Sequence, residues 1–118
     1  MIVIKRVYDP VSEGDGERIL VDRLWPRGVT KEAARISSWM KGIGPTTELR
    51  KWFGHDPSRW DEFRRRYARE LQTPDHQAFL QDLAARSRQG VVTLVIGAKD
   101  REHNHAIVLK SFIRDIAR

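Results

Sequence analysis

The fold is decided by one uninterrupted apolar run near the end of the chain, residues 91–96, which read VVTLVI. The run lies between Gly90 and Gly97 and is rich in β-branched side chains, so it predicts a strand. Because it shows no alternation of polar and apolar residues, both of its faces must be buried, which is typical of a central strand in a parallel sheet covered by helices. The sequence therefore predicts an α/β sheet built around residues 91–96.

Two further strands are predicted before this run. Residues 2–8 alternate loosely and are rich in β-branched side chains, and the mostly apolar run 18–25 ends at Pro26. Residues 36–40 fit either a loop or a short strand, and we favour a short strand at the edge of the sheet.

Helices are predicted in the intervals between the strands. Each start signal is a side chain that can cap a helix through a hydroxyl, carboxylate or amide oxygen, and in three cases a proline or a run of helix formers follows directly. These signals are Thr30 before Lys31, Thr46, Asp56 before Pro57, Thr73 before Pro74, and Asn104. After Pro57, four large apolar residues follow at spacings of three, four and four, which places them on one core-facing side of a helix. They are Trp60, Phe63, Tyr67 and Leu71.

Strands separated by helices favour one architecture over the alternatives. We predict an α/β fold: a single three-layer domain over residues 1–118, with a small, mostly parallel sheet covered by helices. A length of 118 residues suits one hydrophobic core, and no linker or internal repeat divides the chain.

Composition excludes several classes of protein. The chain has no cysteine, which rules out disulfides, thiol nucleophiles and zinc sites built on thiolates. No apolar run approaches the ~20 residues that cross a bilayer, and the first residues do not resemble a signal peptide, so we expect a cytoplasmic protein without membrane contact. The formal net charge of +6 favours an acidic partner. The sequence indicates neither a cofactor nor an oligomeric state.

A first polar segment, residues 22–28, follows the second strand and is succeeded by Lys31. Ligands of open α/β sheets bind beyond the carboxyl ends of the strands, and guanidinium groups there suit phosphate or carboxylate. We therefore predict that Arg23, Arg27 and Lys31 hold an anion. The alternative is that Arg23 pairs with an acid such as Asp22 and that Arg27 is only solvated.

A second polar segment, residues 97–105, follows the last strand. Lys99, Asp100 and His105 are the candidate catalytic residues, because an imidazole oriented by a carboxylate can move a proton. In this interpretation Asp100 orients His105, while Asn104 binds a ligand or caps the last helix. The alternative is that Asp100 or Asn104 caps and that His103 and His105 make local hydrogen bonds. We expect no metal site, because His103 and His105 diverge on a helix.

A third segment, residues 49–56, combines aromatic residues with Arg50 and His55, as a stacking surface for bases does. Arg50 and His55 are candidate ligand-binding residues, whereas Trp52 and Phe53 also suit a hydrophobic core.

The densest basic cluster, residues 64–66 with Arg69, lies on the predicted helix after Pro57. It is the basis of an alternative in which the chain binds nucleic acid. Phe63 and Tyr67 already define the core side of that helix, so we predict that these arginines form a solvated face.

The two main segments should meet in space. Strand two and the last strand each end in a polar loop that enters a helix, and parallel strands place such loops on one edge of the sheet. We therefore predict that Arg27 and His105 face one cleft.

Several of these segments together resemble the bacterial YeaO-like proteins. The resemblance covers essentially the whole chain and rests on residues 5–9, 20–28 and 49–55, and on residues 98–100 with 104–106. It implies a compact α/β fold in a family of unknown function. More distant members carry an acid and then Cys-His-Arg where this chain has Lys99 and then Asn104-His105-Ala106, which implies that only His105 retains that pattern.

Two hypotheses for function follow from the residues. In the first, the protein binds an anionic small molecule or a nucleotide, with acid–base catalysis as an added activity. In the second, it is a nucleic-acid-associated or partner-binding module without catalysis.

Overall fold

Four parallel strands form one sheet in the order β1-β4-β2-β3. The structure is a computed structural model that describes residues 1–118. The strands are β1 (Ile2–Arg6), β2 (Glu17–Leu20), β3 (Ser38–Trp39) and β4 (Val92–Ile96). The predicted α/β fold with a small parallel sheet is confirmed.

Strand β4 holds the central place that its apolar run predicts. Leu94 pairs with Ile4 of β1 on one side and with Ile19 of β2 on the other. All five residues of β4 are buried, with at most 1% of each exposed. The short strand β3 pairs only with β2 and forms the edge, as residues 36–40 predict.

Five α-helices pack around the sheet, and each predicted capping side chain is observed. The helices are α1 (Lys31–Ala34), α2 (Thr47–Phe53), α3 (Trp60–Glu70), α4 (Pro74–Gln89) and α5 (His105–Ala117). Short 3₁₀ turns occupy Glu13–Asp15, Lys41–Ile43 and Pro57–Arg59. The caps are Thr30, Thr46, Thr73 and Asn104, with Asp56 capping the 3₁₀ turn before α3.

The two faces of the sheet are covered unequally. Residues at alternate positions of the strands, such as Ile19 and Leu94, pack against α2 to α5 in the larger core. Leu20 and Val95 point to the opposite face, where α1 and the loop segments around Trp25 cover them. The alternation of side chains along each strand produces this division.

A buried polar network lies on the less covered face. The carboxylate of Asp15 accepts hydrogen bonds from Lys5 at 2.8 Å and from Arg18 at 2.7 Å, while Arg18 also donates twice to the Ala34 carbonyl.

Gly16 follows Asp15 with φ of +61°, and a Cβ there would lie 2.1 Å from the Val91 carbonyl oxygen. Only glycine permits this close approach to β4.

Two strands end earlier than their sequence patterns predict. Strand β1 stops at Arg6 because the Asp9 carboxylate accepts the Arg6 N–H at 2.8 Å and closes a turn. Strand β2 stops at Leu20, and the following residues turn towards the loop after β4 instead of continuing to Trp25.

None of the helices is both long and apolar enough to cross a membrane.

Candidate functional site

A cavity of about 700 Å³ lies at the carboxyl ends of β2 and β4. It is the site that the topology predicts, because the loops after these neighbouring parallel strands both line it. Its lining comprises Tyr8, residues 22–27, Pro45, Arg50, Phe53, His55, Phe63, residues 97–100 and residues 103–105.

Two hydrogen bonds join the loops at the base of the cavity. The Gly97 N–H donates to the Asp22 carboxylate at 2.8 Å, and the His105 ring lies 3.0 Å from the Val21 carbonyl oxygen through Nε2. The predicted juxtaposition of Arg27 and His105 is confirmed, since both line this cavity. Seventy-eight positions of sequence separate them, so the sheet topology brings them together.

Three cationic side chains of the lining have no partner. Arg27, Arg50 and Lys99 make no side-chain hydrogen bond and no ion pair within the chain, and all three are exposed. We call them the unpaired cations. The only acidic side chains in the lining are those of Asp22 and Asp100, against four basic ones, so the cavity has an excess of positive charge.

Arg23 also lines the cavity, but its guanidinium is engaged. It donates from Nε to the Pro45 carbonyl at 2.9 Å and from Nη2 to the Gly44 carbonyl at 3.0 Å. These bonds tie the loop after β2 to the segment before α2. Its positive charge remains, but its principal contacts are structural. The pairing of Arg23 with an acid, which was the alternative from the sequence, is not what the structure shows.

Lys31 is not brought to the site. It is exposed at the start of α1 and does not line the cavity. The expected group of Arg23, Arg27 and Lys31 is therefore separated, because α1 lies on the opposite face of the sheet from α2 to α5.

Burial disfavours the charged form of the His105 ring. Because Nε2 lies 3.0 Å from a carbonyl oxygen, the hydrogen-bond network assigns the proton to Nε2. Burial lowers the pKa of His105 below 6.5, against the opposing attraction of Asp22, whose carboxylate lies 3.4 Å from Nε2. The other oxygen of Asp22 accepts from Gly97, and the one facing His105 has no hydrogen bond of its own.

Asp100 does not orient His105, contrary to the sequence interpretation. Its carboxylate accepts the backbone N–H groups of Glu102 and His103, and it lies 2.9 Å from Nδ1 of His103. The Glu102 N–H and the His103 ring lower the pKa of Asp100 against the effect of burial. A local turn satisfies Asp100, so the oriented imidazole is that of His103 instead.

Asn104 caps α5. Its side-chain oxygen accepts the Ile107 N–H at 3.2 Å, and its amide group donates to the Asp100 carbonyl at 2.9 Å. Only 2% of the residue is exposed. The capping alternative is thus the observed one.

His55 lies at the rim of the cavity beyond α2. It is exposed, and its φ of +57° places it in the left-handed region directly after Gly54. Phe53 beside it is buried in the core, as its apolar character indicates. Among the residues of the third segment, Arg50 and His55 line the cavity, whereas Trp52 does not.

Sequence reasoning missed the apolar wall of the site. Tyr8, Leu24 and Trp25 line the cavity together with Pro45 and Phe63. The position of Tyr8 carried a usable signal, because it follows the carboxyl end of β1 and loops at that edge of a parallel sheet surround the ligand site.

The arginine cluster on α3 forms the solvated face that the sequence predicts. Arg64 pairs with Asp61, while Arg65 and Arg66 both pair with Glu62. A groove of about 800 Å³ beside this face, between α3 and α5, adds Lys110. Because most of its arginines are already paired, this surface has less free charge than its composition suggests.

No group of three or more His, Asp or Glu side chains is arranged to hold a metal ion.

Comparisons with known proteins place the chain among uncharacterised relatives. A family model described as "Inactive DUF488-N3 subclade" matches residues 1–117. The uncharacterized protein YeaO of Escherichia coli is 43% identical over 115 residues, which are 98% of this chain and 98% of that protein. The uncharacterized protein Rv3073c of Mycobacterium tuberculosis is 41% identical over 110 residues, 93% of this chain and 91% of that protein. No solved structure matches the chain.

Proposed function

This chain belongs to the inactive DUF488-N3 subclade, and we propose that it binds an anionic small molecule, bearing a phosphate or a carboxylate, without transforming it. The ligand occupies the cavity at the carboxyl ends of β2 and β4. The family resemblance to YeaO-like proteins gives no activity, so support for this function comes from the residues of the cavity itself.

The unpaired cations carry this proposal. Arg18 and Arg23 use their guanidinium groups within the fold, where they contact a carboxylate and a backbone carbonyl group respectively. Arg27, Arg50 and Lys99 contact neither, yet they line the same concave surface. Guanidinium and ammonium groups around a cavity are well suited to phosphate or carboxylate oxygens, with which arginine forms paired hydrogen bonds.

Binding without turnover is supported by the state of His105. Its Nε2 proton is directed at the Val21 carbonyl oxygen, and burial disfavours the protonated ring. A general acid or base needs to exchange its proton with a ligand within hydrogen-bond reach. In this chain the imidazole instead joins the loop after β2 to the start of α5, which is a structural use.

Titration calorimetry with ribose 5-phosphate tests the proposal. We expect binding to the wild-type protein, and a reduction in affinity of at least about tenfold for Arg27→Ala or Arg50→Ala, because each removes a charge-assisted hydrogen bond worth roughly 1.5–3 kcal/mol. The ligand's ³¹P and ¹H spectra should stay unchanged during incubation with the protein.

The matched control is Arg69→Ala. Arg69 is exposed on α3, has no ion pair and does not line the cavity, so its removal changes the net charge by the same amount. Equal weakening by Arg69→Ala and Arg27→Ala would show that overall charge, and not the cavity, attracts the ligand.

A second candidate function is acid–base catalysis through His103. Its Nδ1 lies 2.9 Å from the Asp100 carboxylate, and the ring lines the cavity with 30% of its side chain exposed. An imidazole oriented by a carboxylate is a common proton carrier. A change in the ligand's NMR spectrum that His103→Gln abolishes would favour this candidate over binding alone.

A further inference from the structure

We infer that the ligand carries an aromatic ring beside its anionic group, as a nucleotide does, and that Tyr8 stacks on that ring. This inference rests on the proposed function, because it concerns the same cavity. Tyr8 was not among the binding residues that the sequence indicates.

The wall beside the unpaired cations is apolar and open. Five large apolar side chains of the chain are exposed, and two of them, Tyr8 at 49% and Leu24 at 58%, line this cavity. Single exposed apolar residues are ordinary, but two at one cavity form a surface that gains from being covered. A ligand that is only an anion would leave this wall in water.

The ring of Tyr8 is held in place before any ligand binds. Its hydroxyl donates to the Arg27 carbonyl at 2.9 Å, and the Arg6 guanidinium lies 5.0 Å from the ring centroid. A ring that is already oriented loses little conformational entropy on binding, which favours stacking.

The hydrogen bond from Tyr8 also links the aromatic wall of the cavity to the loop that carries one of the unpaired cations. It joins the aromatic ring to the backbone of Arg27, whose guanidinium is one of the unpaired cations. An aromatic ring and a free guanidinium therefore line the same cavity. A volume of about 700 Å³ falls within the range of small-molecule sites and accommodates a mononucleotide.

Stacking on an aromatic side chain tolerates any base, so one purine and one pyrimidine nucleotide suffice as probes. The experiment measures calorimetric affinities of AMP, UMP and ribose 5-phosphate for the wild-type protein, Tyr8→Ala and Tyr8→Phe. For the wild type, at least one nucleotide should bind about fivefold or more tightly than ribose 5-phosphate. Tyr8→Ala should lower nucleotide affinity more than ribose 5-phosphate affinity and so abolish that preference, while Tyr8→Phe, which keeps the ring but loses the hydrogen bond to the Arg27 carbonyl, should retain it in part.

The outcomes separate this inference from the proposed function. If ribose 5-phosphate binds through Arg27 and Arg50 but neither nucleotide binds more tightly, the inference of an aromatic ring in the ligand is wrong. The proposed anion binding then remains supported. A preference that survives Tyr8→Ala also overturns the role of Tyr8. Should Tyr8→Ala fail to fold, Tyr8→Leu takes its place, because it keeps an apolar side chain and removes the aromatic ring. If none of the three probes binds, both the inference and the proposed function fail.

A free mononucleotide and the end of a single strand offer the same chemistry. A 5′-phosphorylated pentadeoxyadenylate distinguishes these sources within the same titration. If the pentadeoxyadenylate binds more tightly than AMP and Tyr8→Ala removes this advantage, the natural ligand is the end of a single strand. If it binds as tightly as AMP or more weakly, the natural ligand is a free nucleotide.

Discussion

At the scale of single residues, the role of each basic side chain in the cavity depends on whether a fixed oxygen lies within its reach. Arg23 and Arg27 leave the same loop four positions apart, yet Arg23 contacts the carbonyls of Gly44 and Pro45 and Arg27 contacts none with its guanidinium. Arg23 therefore supports the fold, and Arg27 remains available to a ligand.

This difference predicts opposite effects of two alanine substitutions. Arg23→Ala should lower the free energy of unfolding by about 1–3 kcal/mol, because two carbonyl groups lose their donor. Arg27→Ala should change it by no more than about 0.5 kcal/mol, since its exposed side chain makes no hydrogen bond or ion pair within the fold. Urea unfolding at pH 7 measures both values. Equal losses would mean that Arg27 is part of the structural network and not of a ligand site.

The distinction between these arginines could not be predicted from sequence. The oxygens that engage Arg23 belong to residues more than twenty positions away, on the segment before α2. Local reasoning identified the loop and its residue types, but only tertiary packing decides which guanidinium is satisfied. Asp100 is a different case, because residues two and three positions away engage its carboxylate, which agrees with the capping alternative from the sequence.

The protonation state of His105 gives a second prediction at this scale. Two-bond ¹H–¹⁵N spectra at pH 7 should show the neutral ring with its proton on Nε2, and the pKa should lie below 6.5 because burial disfavours the cation. An imidazolium that persists at pH 7 would show that Asp22 outweighs burial, and His105 would then regain a role as a proton donor.

At the scale of secondary-structure elements, helix starts were predictable and strand ends were not. A cap such as Thr46 acts on a backbone N–H three residues away, so the signal is contained in the local sequence. The end of β2 instead depends on Asp22, whose carboxylate binds Gly97 seventy-five positions later. An apolar run such as 18–25 shows what can be buried but not where pairing stops.

Helix α3 allows both of its faces to be tested. Arg65→Glu should lower the free energy of unfolding by less than about 1 kcal/mol, because Arg65 is exposed and loses only its pair with Glu62. Tyr67→Phe should cost about 1–3 kcal/mol, since the buried Ile43 carbonyl loses its hydrogen bond from the Tyr67 hydroxyl. Denaturant unfolding of the two variants side by side checks the difference, and a larger loss for Arg65→Glu would reverse the assigned faces.

At the scale of the whole molecule, the sheet separates a structural polar network from the candidate site. Asp15, Lys5 and Arg18 satisfy one another on the face that α1 and the loops cover. The cavity at the carboxyl edge keeps cations that nothing in the chain satisfies. Parallel topology made the position of the cavity at this edge predictable, because neighbouring parallel strands place their following loops side by side.

The structural network predicts how stability depends on pH. Burial would raise the pKa of Asp15, but hydrogen bonds from Lys5, Ser12 and Arg18 outweigh it and hold that pKa well below its ordinary value. The unfolded state therefore takes up a proton first as pH falls below about 4, so the unfolding free energy should decrease there. Urea unfolding at pH 7, 4 and 3 measures this decrease.

Asp15→Asn separates this contribution from those of other carboxylates. It should cost about 3–5 kcal/mol at pH 7, because the buried Arg18 loses its counter-charge, and its stability should fall less steeply between pH 4 and 3. Parallel pH curves for the variant and the wild type would assign the acid sensitivity to other groups, among them Asp9, whose pKa the Arg101 side chain lowers to about 2.

A crystal structure of the protein with ribose 5-phosphate would show where the chain binds an anionic ligand. Binding in the cavity predicts phosphate oxygens within about 3 Å of at least two of the unpaired cations, Arg27, Arg50 and Lys99. A phosphate bound only in the groove between α3 and α5, beside Lys110, with the cavity empty at a saturating ligand concentration, would contradict the account.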